Sequence, residues 1–386
     1  MCTSFADTRD VRRITSGNSR PQTDATSRLR ACYRSVIYPA SAPRKPAVTI
    51  RPVRGAFGDR SARALRWHSR GVTPTYDDIT AAAARIAGSV RPITLAPAAT
   101  GADPLWFALE YLQFTGSFKA RGAQNFVRAH AAAGTLPEAG VTIASGGNAG
   151  LACAWAAREA GVPATVFLPD TAPPVKIRRL RDYGAEVRLI GPEYKQALAA
   201  CQEFAATTGA LSSHAYDHPL VAAGAGTLMR EIGARIPDLD TVLVAVGGGG
   251  LFTGTAVAAQ HLGVRTVAVE PVRCRSLNAA LAAGRPVEVT VDSVAADSLG
   301  APNVSAMALA VAQDESVRSV LVEDELIVRA RRQLWDEHRI AVEYGAATAL
   351  AALLDGGTGP AYRPQPGERV CVVLCGANTD PADLTR

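Results

Sequence analysis

Of the 41 basic residues in this 386-residue chain only four are lysine, at 45, 119, 176 and 195, and the rest are arginine. One of the four, Lys119, sits among small residues and a phenylalanine in "TGSFKARGAQN" (115–125). Both side chains are cations at neutral pH, but only lysine readily loses its proton and attacks a carbonyl. A lysine kept at such a place in a chain that otherwise writes arginine points to carbonyl chemistry.

Three glycine-rich loops follow apolar runs. "SGGNAG" (145–150) offers backbone N–H groups at the start of an expected helix, suited to a carboxylate, with Asn148 adding a neutral donor and acceptor. "VGGGGLFTG" (246–254) places four glycines in a row, so that several N–H groups can converge on one phosphate. It is neither GxxxxGK[ST] nor a dinucleotide GxGxxG, because Phe252 stands at the last position. "VVLCGANTD" (372–380) ends a buried strand at Cys375. Taken singly, the first two loops also read as tight turns and the third as a core cysteine before a turn. Together with an isolated lysine they describe a pocket for a phosphorylated aldehyde, which is the requirement of pyridoxal phosphate: an amine for the aldehyde, a phosphate cradle, and a small neutral group across the ring.

The elements that must position these loops alternate. Strand candidates at 141–145, 164–169, 185–190, 241–246, 265–270 and 369–375 are separated for the most part by Ala-rich helical stretches such as "NAGLACAWAAREAG". In "TPTYDDITAAAARIAG" Thr75 is a candidate N-cap, with Asp77 and Asp78 in the first turn and Gly88 as the stop. Such alternation predicts an α/β fold of two open sheets, mostly parallel, with helices on both faces and ligands bound at the carboxyl ends of the strands.

Residues 1–70 hold 15 Lys/Arg against 4 Asp, whereas the remainder is net acidic, so the overall charge of +6 describes neither part. The first 70 residues are rich in Ser, Thr and Pro, have no sustained period, and read as a disordered basic extension. Such a segment fits a dispensable tail or sequence upstream of the true start, a transit peptide or a nucleic-acid arm. The basic balance is therefore no argument that the folded part binds nucleic acid. No apolar run approaches the ~18 residues of a membrane span. Seven scattered cysteines without CxxC spacing argue against a disulfide framework or a zinc site and suit a cytoplasmic protein.

At this point the sequence resembles the fold-type II pyridoxal-phosphate enzymes of the tryptophan synthase beta superfamily, and within them the serine/threonine dehydratases. The matches fall in order from about residue 75 to 382: the segment ending "TGSFKARGA", then "SGGNAG", "HAYDHPLVAAGAGTLMREI" (214–232), "VGGGGL", "VAVEP", "AADSLG", "VEYGAATALAAL" and "LCGANTD". The resemblance implies that Lys119 forms the Schiff base and exchanges the Cα proton, with Phe118 beside the ring and Asn148 at the phenolic oxygen. It implies further that Gly247, Gly248, Gly249, Gly250 and Leu251 hold the phosphate. Ser145, Gly146, Gly147, Asn148 and Ala149 surround the substrate carboxylate, Cys375 faces the pyridine nitrogen, and Glu343 and Asp297 border the pocket. The implied reaction is β-elimination from a hydroxy amino acid such as L-threonine or L-serine, releasing a 2-oxoacid and ammonia. By the same resemblance residues 71–140 and 218–386 form a large cofactor-binding domain and 141–217 a small mobile domain closing over the substrate. The partner is a small amino acid, neither nucleic acid nor membrane, and the assembly a dimer or tetramer.

The departures matter as much. Racemising relatives carry a hydroxyl where this chain has Gly146. Dehydratases commonly show Ala-Gly-Asn-His where this chain has Gly146-Gly147-Asn148-Ala149, which puts serine and threonine in doubt as substrates. Ser276 stands where metal-binding relatives have an Asp partner for Glu270, which weakens a divalent-metal reading and leaves a monovalent ion open. Ser298 replaces a usual glycine. His214 and His218 read as structural, and Arg178, Arg179 and Arg181 as a solvated helix face. Only eleven residues follow Cys375, so no regulatory domain is expected after it. The alternatives are a β-replacement synthase making a non-standard amino acid, and a non-catalytic cofactor-binding paralogue. Lys119-Ala120-Arg121 and the intact tetraglycine loop weigh against both.

Overall fold

A computed structural model of the chain describes residues 72–98 and 104–384. The expected basic extension, residues 1–70, lies outside the described residues. Helix α1 (Tyr76–Ile86) begins as anticipated. The Thr75 hydroxyl accepts from Asp78 N at 3.3 Å and the Asp78 carboxylate accepts from Thr75 N at 2.9 Å. Ile79, Ala82 and Ile86 form its buried face.

The strands build two sheets. Six strands lie in the order β1 (Leu95–Pro97), β2 (Leu105–Ala108), β10 (Val370–Val373), β7 (Thr241–Ala245), β8 (Arg265–Pro271) and β9 (Val317–Val322). All neighbours are parallel except β1, which runs antiparallel to β2 at the edge and carries Pro97 where no ladder donor is needed. The second sheet is wholly parallel, in the order β5 (Glu186–Leu189), β4 (Ala164–Leu168), β3 (Val141–Ala144) and β6 (Leu211–Ser212). The central strands β3, β4 and β7 are buried at every position, as expected for strands covered on both faces, while the edge strand β5 presents Glu186 and Arg188.

The chain leaves the six-stranded sheet after β2 and forms α2 (Lys119–Ala132). It then builds the second sheet through α3 (Asn148–Glu159), α4 (Pro174–Asp182) and α5 (Tyr194–Thr208), and returns along α6 (Pro219–Arg235). After β7 come α7 (Gly250–His261), α8 (Ser276–Ala283), the short α9 (Ala296–Leu299), α10 (Ala306–Ala312), α11 (Asp324–His338) and α12 (Tyr344–Ala351). One core cluster surrounds the six-stranded sheet, with Leu243, Phe252, Val267 and Val372. Another joins Ile143, Trp155 and Val166 of the second sheet to Ala120, Phe126 and Val127 of α2. The lysine-bearing helix, grouped by the sequence reading with the larger unit, thus shares its core with the four-stranded sheet. The carboxyl ends of β3, β4, β7 and β10 all feed loops lining one cavity.

Candidate active site

The segment before α2 is held under strain. Thr115, not a glycine, has φ of +62°, and Gly116 follows at +73°. Bonds to the loop after β10 hold this turn: Asn378 Nδ2 donates to Thr115 O at 2.7 Å, Ala377 N to Gly116 O at 2.9 Å, and Phe118 N to Cys375 O at 2.9 Å. A Cβ on Gly116 would lie 2.8 Å from Asn378 Oδ1, so the approach needs glycine. Lys119 opens α2 half-buried, its Nζ donating to Ala215 O at 2.7 Å and lying 4.8 Å from the centre of the Phe118 ring. Burial pushes the amine down to about 8, against the upward pull of Glu343, so a usable fraction is neutral near neutral pH.

Arg121, two residues further along the helix, anchors this arrangement from behind. It is fully buried, with Nε 2.6 Å from Glu110 Oε1, Nη2 3.1 Å from Glu110 Oε2 and Nη1 2.6 Å from Glu231 Oε1. Nη1 also donates to Thr227 Oγ1 at 3.1 Å. The guanidinium fork thereby ties α2 to both the segment before it and α6, a task to which an ammonium is poorly shaped.

Ser145, Gly146 and Gly147 carry β3 into the N-terminus of α3, where Gly150 passes so close to Ser145 O that a side chain would overlap it. The Asn148 carboxamide donates to both Glu343 oxygens, at 2.9 and 3.1 Å, and accepts from Asn378 Nδ2 at 2.6 Å. Burial raises the Glu343 carboxyl above the usual range, partly opposed by the Asn148 bond. Arg179 Nη2 in turn donates to Asn378 Oδ1. The expectation that Arg179 belongs to a solvated helix face is therefore corrected. Arg178 and Arg181 are exposed, but Arg179 turns inward because α4 packs beside the loop after β10.

The tetraglycine loop is shaped by contacts that only glycine permits. Gly249 has φ of +95°, and a Cβ on Gly248 would overlap the Tyr216 ring. Its carbonyls are occupied: Gly247 O accepts from Ser276 Oγ at 3.0 Å, Gly248 O from Ser305 N at 3.1 Å, and Gly249 O from Thr253 N at 2.8 Å. The N–H groups from Gly247 to Leu251 meet no protein acceptor among the described residues. Converging amides at a helix start form a cradle for a phosphate. Cys375 closes the far side, 4% exposed, its thiol pushed up by burial and by the nearby Glu343, so that it stays neutral.

A cavity of about 790 Å³ gathers these groups. Phe118, Lys119 and Ser145 to Ala149 line it, as do Gly247 to Leu251, Asp297, Glu343 and Cys375. Pyridoxal phosphate fits this donor set: an amine of lowered basicity, unpaired amides for a dianion, and an uncharged thiol. Asp297 is taken up by an ion pair with Lys176 on α4. His214 lines the cavity too, its Nδ1 accepting from Asp217 N at 2.8 Å, while His218 Nδ1 caps α6 through Leu220 N at 3.1 Å. Glu270 is fully buried and caps α8, accepting from Leu277 N at 2.7 Å and Asn278 N at 2.8 Å, with burial pushing it up to about 7. No cluster of three His, Cys, Asp or Glu side chains at metal spacing occurs among the described residues. Residues that sequence reasoning did not assign include Arg179, Lys176, Asn378, Tyr194, Leu198 and Tyr216. Asn378 had a signal in the "GANTD" that follows Cys375; the others lie on helices and loops whose facing is set by tertiary contacts.

Comparison with known proteins agrees with this geometry. The family described as "Pyridoxal-phosphate dependent enzyme" matches residues 87–376. An L-threonine ammonia-lyase of Geobacter sulfurreducens is 38% identical over 279 residues, covering 72% of this chain and 68% of that protein. A serine dehydratase-like protein of Rattus norvegicus is 38% identical over 284 residues, covering 71% of this chain and 85% of its own. Among solved structures, maize serine racemase superposes with a TM-score of 0.76 at 28% identity, over 81% of this chain and 96% of that one.

Proposed function

The chain belongs to the pyridoxal-phosphate dependent enzymes, and on that premise we propose that it eliminates the 3-hydroxyl of a hydroxy amino acid such as L-threonine or L-serine. Water leaves from Cα and Cβ, one water returns on hydrolysis, and the products are a 2-oxoacid and ammonia. The relatives named above as an ammonia-lyase and a dehydratase-like protein support this reading. The observation that carries it is the neutral Cys375 thiol placed in one cavity with the Lys119 amine and the unpaired amides of the tetraglycine loop.

Pyridoxal phosphate, when bound, supplies the electron sink for charge developing at Cα. Lys119 would hold its aldehyde and Gly247 to Leu251 its phosphate, with Phe118 beside the ring. Asn148, braced by Glu343 and Asn378, would interact through its carboxamide with the ring's phenolic oxygen. A thiol cannot balance a protonated ring nitrogen as a carboxylate would, which favours reactions that discharge Cα quickly by losing a β-substituent. The Lys119 amine, with a pKa of about 8, is suited to take the Cα proton near neutral pH. The substrate carboxylate would be held at the N-terminus of α3, against Ser145 to Ala149. Gly146 offers no hydroxyl to act on the opposite face of Cα, which speaks against racemisation although a racemase is among the structural neighbours. Movement of the 141–217 region over the substrate would exclude water from Cα.

We place the enzyme in the cytoplasm as a dimer or tetramer. The five cysteines among the described residues are unpaired, and no described helix is long and apolar enough to cross a membrane. The test is to incubate purified holoenzyme with L-threonine and L-serine while measuring 2-oxoacid and ammonia. Equimolar release, abolished in Lys119→Ala, is expected; consumption of substrate without 2-oxoacid would overturn elimination in favour of β-replacement.

A further inference from the structure

We propose that Tyr216 is a positioning residue for the phosphate: its side chain holds the tetraglycine loop in the shape that receives a phosphate ester. The inference rests on the reading of that loop as a phosphate cradle and names the residue that keeps it formed.

Glycine loses more backbone freedom on ordering than any other residue, and this loop has four in a row. Amides that converge before the ligand arrives must therefore be held by packing from elsewhere. Part of that packing comes from α10 and the residues just before it. A Cβ on Gly249 would lie 2.4 Å from Ala308 Cβ and 3.1 Å from Val304 Cγ2, and Gly248 O accepts from Ser305 N at 3.1 Å.

Tyr216 supplies another part. A Cβ on Gly250 would lie 3.0 Å from Tyr216 Cα and Cβ, and one on Gly248 would lie 2.3 Å from Cδ1 and 2.4 Å from Cε1. The side chain thus runs along the loop from Gly250 to Gly248. It ends on Asn303, whose carbonyl accepts from the Tyr216 hydroxyl at 3.2 Å. Asn303 is two residues before Ser305, the donor to Gly248 O. Gly248 is therefore held between the ring and the segment on which the ring's hydroxyl is anchored. Burial raises the phenol pKa, which keeps the hydroxyl protonated and able to donate.

The backbone that carries Tyr216 is fixed too. Tyr216 N and Asp217 N donate to His214 Nδ1 at 3.3 and 2.8 Å, and Ala215 O accepts from Lys119 Nζ at 2.7 Å. One short turn thus refers the amine and the phosphate loop to the same stretch of chain, and both Ala215 and Tyr216 line the cavity. The amides from Gly247 to Leu251 serve only a ligand with an anionic group at that place. Loosening the loop therefore penalises pyridoxal phosphate and spares pyridoxal, which has no phosphate to offer them.

Binding to the full-length protein freed of cofactor tests this. Pyridoxal phosphate and pyridoxal are followed by fluorescence titration, and inorganic phosphate by its competition with pyridoxal phosphate. Tyr216→Phe removes only the bond to Asn303 and should weaken pyridoxal phosphate and inorganic phosphate by about 2–12-fold, the worth of one neutral hydrogen bond. Tyr216→Leu, which also takes the ring from Gly248, should weaken both further. Pyridoxal should bind Tyr216→Phe as it binds the wild type, which a general loss of structure would not allow. Equal weakening of pyridoxal phosphate and pyridoxal, or unchanged affinity for pyridoxal phosphate in both variants, overturns the inference. If the wild type binds pyridoxal as tightly as pyridoxal phosphate and inorganic phosphate does not compete, the cradle reading itself fails and the inference with it.

Discussion

Replacing Arg121 by methionine is expected to destabilise the protein by about 3–5 kcal/mol near neutral pH, the cost of removing one partner from a buried ion pair. Methionine retains most of the apolar stem, so little of the loss comes from a cavity. The loss arises at Glu110, which is 1% exposed and would be left with a single side-chain donor, Gln113 Nε2 at 3.5 Å. Glu231, 24% exposed, can be rehydrated and contributes less. Burial already raises the Glu110 pKa, and the neighbouring cation opposes that rise. Without the cation the folded-state pKa climbs further above the unfolded value, so stability from this group is present at low pH and lost as pH rises through the folded pKa. The deficit should therefore be small at about pH 5 and full at about pH 8. Urea unfolding followed by tryptophan fluorescence at both pH values measures it, and Glu110→Gln added to Arg121→Met should recover most of the loss. A deficit below about 1 kcal/mol at the higher pH, as for an exposed pair, or one independent of pH, would refute the reasoning.

Further expectations follow from the site. Capture of pyridoxal phosphate by apoenzyme should quicken about tenfold per pH unit up to about 8 and then level off, because only the neutral Lys119 amine attacks; rapid-mixing absorbance would show this, and a flat profile would contradict the lowered pKa. Gly248→Ala should weaken cofactor binding by about 5–150-fold, the overpacking against Tyr216 being worth about 1–3 kcal/mol. Fluorescence titration reads this, and adding Tyr216→Ala should restore part of it; unchanged affinity would show that the loop is not held as described. Arg179→Leu should reduce kcat/KM by about 10–100-fold with cofactor absorbance retained, since a charge-assisted bond orienting Asn378 is lost; wild-type kcat/KM would return Arg179 to the solvated face first expected.

Much of this molecule is local and therefore legible in the chain. The capping box of α1, the buried strands β3, β4, β7, β8 and β10, and the glycine loops after β3 and β7 are each decided by neighbours within a few residues. Lys119 stood out because its chemistry cannot be supplied by arginine. The short strands β1 and β2 were not foreseen, because "LAP" and "LWFA" are too brief to show a period and owe their pairing to β10, far along the chain. β9 was also missed, although "VRSVLV" is apolar enough; what makes it a strand is its register against β8.

The site divides in the same way. Residue types alone singled out the Lys119 amine, the tetraglycine loop and the Cys375 thiol, which the structure brings to one cavity. The tertiary structure alone decided the partners: that Asn148 is braced by Glu343 and Asn378, that Arg179 turns inward, and that Arg121 is buried between two glutamates 121 residues apart. Phe167, Leu168, Tyr194 and Leu198 likewise come to line the cavity only once β4 and α5 are packed beside the loop after β3. The physical reason is the range of the forces. Backbone conformation and caps are settled within one turn of chain, whereas burial, pKa and the facing of a long side chain depend on which distant surfaces exclude water around it.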